Sequence, residues 1–427
     1  MAVRINALPA FAAWVTGFCL GLMGVSGAAF AQAADKAAAA DGAFTILKAV
    51  PEKALTGRPN VRPTVFQAAQ VNWDVLKGLL AAAPLEAVPQ VQPPVIVSLP
   101  MPDGWLARFN VVESPMMEPE LAAKFPEFKT YQGQGIDDPT ATVRFDYTPQ
   151  GFHAFIRSAN GTVFIDPYDG GDTSVVASYF KQDLRRNTGW VCKSFDENPE
   201  QAPVVPAEPT KTERPAGGYG QRGGEFVTRR QYRLAVATTA EYTAFHSTLN
   251  GRTVNVNDGM AAVVTAVNRI NEVYGTEVAI RFILVANNNV LIFTNPTTDG
   301  YANDGSVSDR NINQAKLDSG VGNGAYDVGH LFETGPGGIA FFRAPCSVSN
   351  KAKGLSGIDT PINDSFWVDY VAHEMGHQFD GRHNFNNCTG GPGDLVSLAY
   401  EPSSGTTIMC YAGICDVNDI QPHSDVM

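Results

Sequence analysis

The sequence predicts an α+β protein in two parts, a β-rich N-terminal half and a C-terminal half in which strands alternate with helices. Three observations carry this. Short runs that alternate apolar and polar residues recur between about Phe44 and Glu197. A Pro- and Gly-rich stretch then interrupts the chain from Asn198 to Gly224. Beyond it, extended apolar runs flank a helical pattern built on Met260, Val263, Val264, Val267, Ile270 and Val273.

Composition bounds the answer. The 427 residues leave room for two or three domains, and 44% hydrophobic content is ordinary for a globular chain. A formal net charge of −12 argues against nucleic acid, whose phosphates demand a basic face. After the N-terminus no apolar run is long enough to span a bilayer, so no membrane insertion is expected once a leader is removed.

Residues 1–31 read as a signal peptide. Arg4 supplies the positive start, Phe11 through Val25 the apolar core, and Ala29-Phe30-Ala31 a small-x-small cleavage pattern, with Ala31-Gln32-Ala33 as a second candidate. Export, to a secreted or extracellular location, is the reading; an N-terminal anchor is the competing one. Residues 32–197 form the N-terminal domain. Within it, Thr142–Tyr147, Phe152–Ile156 and Thr162–Ile165 are strands, separated by turns at Thr148–Gly151 and Ser158–Gly161, which makes a meander.

The segment 198–224 carries Pro199, Pro203, Pro206, Pro209 and Pro215 and two Gly pairs, and buries too little apolar surface to fold. It is an exposed linker of the kind proteases cut. An exported, two-part chain with a cleavable linker reads as a proenzyme; a permanent tether is the alternative. Among the cysteines, Cys19 leaves with the signal and Cys192 stands alone before the linker. Cys346, Cys388, Cys410 and Cys415 suffice for two disulfides in any of three connectivities.

The C-terminal domain, 225–427, opens with a strand at Tyr232–Ala237. Asn257-Asp258 starts the amphipathic helix, strands follow at Val278–Val285 and Tyr326–Phe332, and an apolar run, Gly337–Phe342, follows a glycine pair. His330 lies within a strand, where a packed or hydrogen-bonded histidine is expected. Next comes a helix capped by Asp364 or Ser365, with Phe366, Val368, Val371, Ala372 and Met375 as its apolar stripe.

That helix carries the chemistry. His373-Glu374-Met375-Gly376-His377 is an H-E-x-x-H pattern, and His383 follows six residues later, so three of the seven histidines fall within eleven residues. Imidazoles four apart share one helix face and can reach one metal ion. Asp380-Gly381-Arg382 must turn the chain back for His383, with glycine supplying the positive φ that ends a helix. Three imidazoles leave a fourth position open, as in a catalytic zinc site, and Glu374 sits where a general base is needed. A thiolate ligates zinc well, so Cys192 can occupy that open position and hold a proenzyme latent.

The pattern resembles the long zinc motif of the metzincins, with Thr407-Ile408-Met409-Cys410-Tyr411 similar to their Met-turn. Asp380 stands where the motif has glycine, and Asp is among the few residues that enter the left-handed region. The likeness is to the reprolysin-like branch, in its bacterial secreted form, over Asp369–Phe379, Glu401–Met409 and Tyr411–Cys415. The resemblance implies a zincin-like fold, with a twisted mixed sheet, a zinc helix and a cleft between unequal subdomains, preceded by a prodomain at 32–197. It implies one catalytic zinc on His373, His377 and His383, Glu374 as base, Met409 as floor and Tyr411 as a transition-state stabiliser. Substrate would lie antiparallel to an edge strand, for which Gly337–Phe342 is the candidate. The expected activity is that of a zinc endopeptidase acting on proteins or peptides; a calcium site is neither indicated nor excluded.

Three other readings stand beside it: an H-E-x-x-H peptidase with Glu401 as third ligand, an impaired zinc-binding module in which Asp380 has spoiled the turn, and a structural zinc site closed by a fourth protein ligand. The family's pattern around Gln421–Asp425 continues into a helix, which this chain, ending at Met427, is expected to lack.

Overall fold

The computed structural model describes residues 41–86, 93–185, 191–194, 229–388, 393 and 396–427. The expected signal peptide and linker lie outside the described residues. The N-terminal half is an antiparallel sheet of nine strands among the described residues: β1 (Phe44–Ile46), β2 (Gln67–Val71), β3 (Val95–Pro100), β4 (Leu106–Glu113), β5 (Lys129–Gly135), β6 (Thr142–Thr148), β7 (Gly151–Ser158), β8 (Gly161–Pro167) and β9 (Val175–Phe180). Their order is β1-β2-β9-β8-β7-β6-β5-β4-β3. The meander read from the sequence is β6 to β8, and the Thr148↔Gly151 register closes its first hairpin.

Both faces of this sheet are covered, and the strand period decides which residue goes where. Phe152, Ala154, Ile156, Val163 and Ile165 join Phe145 and Val143 in a core of the sheet's own, which also takes Leu76 and Leu80 of helix α1 (Trp73–Leu80). Phe155, Phe164, Ala177 and Tyr179 point the other way and pack into the C-terminal half.

The C-terminal sheet contains β10 (Arg230–Thr238), β11 (Ile280–Leu284), β12 (Val328–Glu333), β13 (Gly337–Ala340) and β14 (Gly354–Gly357), ordered β11-β10-β12-β14-β13. All pairs are parallel except β13–β14, so the sheet is mixed and its antiparallel strand lies at the edge. Helices α2 (Pro119–Lys124), α3 (Ala240–Leu249), α4 (Val256–Glu277) and α5 (Val307–Gly320) precede the histidine segment. The cap of α4 is Asn255, whose side chain accepts from the Asp258 N–H at 2.9 Å, two residues before the expected start.

α4 is the post between the halves. Val263, Val267 and Ile270 share one core with Phe155 and Phe164 from the first sheet and Trp367, Tyr370 and Val371 from the histidine segment. Arg269 of α4, 1% exposed on its side chain, pairs with Asp166 of β8 at 2.5 Å and with Asp364.

The histidine segment is helical throughout but not uniform: α-helix at Asn363–Phe366, π-helix at Trp367–Ala372, α-helix again at His373–Gln378. The expected cap at Asp364 or Ser365 is a correction. Ile362 stands at the cap without a side-chain bond, and Asp364 is buried against Arg269, whose charge claims it. The expectation of two disulfides is likewise corrected. Cys388 and Cys415 are joined, whereas Cys410 donates to Asn384 Oδ1 at 2.5 Å and Cys346, after the edge strand, has its backbone tied to Asp327. Past Cys415 the chain forms one 3-10 turn, Asp416–Asn418. Among the described residues no helix is long and apolar enough to cross a membrane.

Candidate metal centre

His373 and His377 lie one turn apart on the last helical stretch, and the turn at its C-terminal end brings the third ring to them. The Gly381 N–H donates to Gly376 O at 2.8 Å and the Asp380 N–H to His377 O at 2.9 Å, the paired bonds of a Schellman ending. Asp380 itself takes the left-handed conformation, φ 70°, rather than the glycine beside it. Its carboxylate accepts from Arg382 at 3.1 Å and Arg343 at 3.2 Å, which holds the turn. Gly381 is needed for space instead: a Cβ there would meet Gly376 O at 3.0 Å.

The chain then returns His383 to the pair. The three Nε2 atoms form a triangle with every side 3.0 Å. A point about 2 Å from all three corners, the usual Zn–N distance, exists above such a triangle, so the donors fit one ion. His373 Nδ1 donates to Ile408 O at 2.6 Å and His377 Nδ1 to Gly381 O at 2.7 Å, which fixes both rings with Nε2 inward. Burial, then the neighbouring His383 and His373, hold His377 well below its usual pKa, so it is neutral as a ligand must be.

Around this triangle stand the remaining residues singled out in the sequence. Met409 packs under the helix, where a Cβ on Gly376 would come 2.2 Å from its Sδ. Tyr411 lies with its ring 4.8 Å from that of His383 and 4.7 Å from Phe385. Glu401 is elsewhere, which corrects the reading of it as third ligand: its carboxylate accepts from Asn384 Nδ2 at 2.8 Å, the Thr406 N–H at 2.7 Å and Thr407 Oγ1 at 3.0 Å. His330 is also apart, bonded to Gln378 at 2.8 Å and Ser356 at 3.0 Å, with burial lowering its pKa to about 4.

Cys192 reaches the centre from the N-terminal half. Its Sγ lies 3.4 Å from His377 Nε2, and with the three rings it makes a group of four donors within 4.8 Å of one another. Residues 191–194 run along the edge strand: Gly338 N–H donates to Val191 O at 3.0 Å and Lys193 N–H to Gly338 O at 2.7 Å, in the parallel sense. Glu374 is fully buried beside them. Its Oε2 accepts the Ser194 hydroxyl at 2.7 Å, and Ser194 Oγ in turn accepts the Ala340 N–H at 2.8 Å. Ser194 escaped the sequence reading because nothing around Trp190–Lys193 forms a motif; its only signal was its place two residues after Cys192.

Residues 228–425 match the family model for metallo-peptidase family M12B, reprolysin-like. That segment is a reprolysin-like metallopeptidase domain. Enzymes of this family use zinc, and the histidine cluster of this reprolysin-like domain can bind a metal. Metalloproteinase-II from Bacteroides fragilis is a distant structural likeness, with a TM-score of 0.41 and 11% identity over 73% of this chain and 85% of that one. No curated protein matches the chain.

Proposed function

We propose that the chain is a secreted zinc endopeptidase made as a proenzyme, with a signal peptide at 1–31, a prodomain at 32–197, a cleavable linker at 198–224 and the catalytic domain at 225–427. The observation that carries this is the 3.0 Å Nε2 triangle of His373, His377 and His383 with Glu374 buried alongside. Zinc bound there supplies a Lewis acid that makes water nucleophilic near neutral pH and polarises the peptide carbonyl. Glu374 takes the proton of the attacking water and returns it to the leaving amine. Tyr411, set edge-on to His383, is the candidate to donate to the developing oxyanion, and Met409 seats the helix from below.

Latency arises from 191–194. Cys192 offers a fourth ligand in place of water, while Ser194 engages the base, so one short segment disables both halves of the catalyst. Lying parallel to the edge strand, it runs opposite to the direction that the resemblance implies for substrate, with the Cys192 thiol rather than a peptide carbonyl at the metal position. Activation requires a cut before residue 229, since Arg230 is already tied into the sheet through Ala279 O at 2.8 Å.

The test is metal analysis of purified protein beside a quenched-peptide assay after limited proteolysis of the linker. One zinc per chain, retained in Glu374→Gln while cleavage falls by at least about a thousandfold, is expected. Zinc-free protein, or undiminished cleavage by the variant, overturns the reading.

A further inference from the structure

Cys192 and Ser194 have roles in the latent form, but Lys193 between them does not. Its ammonium donates to two backbone carbonyls, Gly305 O at 2.9 Å and Pro336 O at 2.8 Å. Two carbonyls aimed at one point make a seat for a cation, and the backbone is shaped to form it. Gly305 holds φ 67°, and a Cβ there would come 2.3 Å from Pro336 O and 2.9 Å from Lys193 Nζ, so only glycine lets the two loops approach. Asn303 pins them together: it accepts from the Thr334 N–H at 2.9 Å and donates to Thr334 Oγ1 at 2.8 Å.

Behind the seat lies Glu333, the last residue of β12. It is 0% exposed, and neither carboxyl oxygen makes a hydrogen bond of ordinary geometry among the described residues. The Gly305 N–H is near enough to draw on it, and so is the Lys193 charge. Gly305 thus presents its N–H toward the acid and its C=O toward the ammonium. A carboxyl buried with no hydrogen bond of ordinary geometry is costly, and the Lys193 charge offsets part of that cost.

We infer that Gly305 O, Pro336 O and Glu333 form a substrate subsite for a lysine or arginine side chain, one residue along the edge strand from the position facing the metal. Lys193 occupies it as the chain's own stand-in. The inference rests on the peptidase reading above and adds the class of residue that the enzyme selects. A cationic side chain bonds both carbonyls and offsets the acid's charge; an apolar chain of equal length leaves the carbonyls to water and the acid without a counter-charge.

Full chain cut within 198–224, left unfractionated and supplied with zinc, is assayed at pH 9 on peptides carrying lysine or norleucine immediately before or after the scissile bond. Lysine should raise kcat/KM about tenfold at one of the two positions, and Glu333→Gln should bring that ratio below about threefold. A ratio within twofold at both positions, or one unchanged in the variant, overturns the subsite and leaves the peptidase reading intact. Failure to cleave any peptide defeats the peptidase reading instead. The seat is then decided by the rate at which an aromatic disulfide reagent modifies Cys192 in uncut Cys346→Ser protein. Lys193→Met should speed that reaction about tenfold over Lys193 and Lys193→Arg, and equal rates would overturn it.

Discussion

A Cβ on Gly338 would come 2.4 Å from Oε1 of Glu374, so the edge strand meets the carboxylate of the proposed base with bare backbone. No other residue fits without moving either the strand or the base. Gly338→Ala should therefore cut turnover about a hundredfold while zinc content stays at the wild-type level, because the ligands are untouched. Metal analysis alongside kcat separates this from loss of the site. Normal turnover in the variant would mean that Glu374 need not stay where it is.

Ser194 and Cys192 act on different parts of the centre, and their removal should show it. In the uncut chain, Cys192→Ser frees the metal but leaves the Ser194 hydroxyl on Glu374; Ser194→Ala does the reverse. Each alone should raise the residual peptidase rate modestly, and the pair together by more than the product of the single effects, since either lock suffices for latency. Rates that simply multiply would show that the two contacts act independently, and a single variant without effect would show that its contact is idle.

Much of this arrangement was legible in the sequence because it depends on local spacing. His373, Glu374, His377 and His383 announce themselves through helical period and a turn, and β6 to β8 through alternation broken by Pro-Gln-Gly and Ala-Asn-Gly turns. Asp380 was readable too, as a residue able to take positive φ. What stayed hidden depends on long-range contacts. Asp364 looked like a cap because it precedes an apolar stripe, but Arg269, far away in sequence, claims its charge. Nothing local marks the π-helical turn at Trp367–Ala372, which packs into one core with α4. Ser194 and Lys193 carry meaning only through the strand they lie on.

Arg269 binds the two halves through Asp166 and Asp364, with all three side chains 1% exposed or less. Asp166→Asn leaves Arg269 paired with Asp364 alone and replaces a charge-assisted bond with a neutral one, so it should destabilise the uncut chain by about 2 kcal/mol, read from the denaturant midpoint. The shared core around α4 adds apolar burial to this pairing. A cut within 198–224 should accordingly leave most of the halves together on gel filtration at neutral pH, with peptidase activity confined to the fraction that separates, and in Asp166→Asn that fraction should grow. Immediate separation of the wild-type halves would contradict the shared core as the main tie.

Glu333 gives the chain a pH dependence whose sign is fixed by its surroundings. Burial, with Asp309 and Asp304 adding to it, raises its pKa from the ordinary 4.5 to about 8. The folded state therefore binds a proton that the unfolded chain has released between those two values, and stability attributable to this residue falls as pH rises across that window. Below about 4.5 both states are protonated and the residue contributes no slope. Glutamine keeps the shape and cannot ionise. Glu333→Gln should match the wild type at pH 4 to 5, then gain relative stability steadily toward pH 8, reaching a few kcal/mol, and stay level above it. Paired urea titrations at half-unit steps measure the difference directly. A difference that does not change with pH would mean that Glu333 ionises as freely folded as unfolded, and that the cavity behind the Lys193 seat is wetter than its 0% exposure indicates.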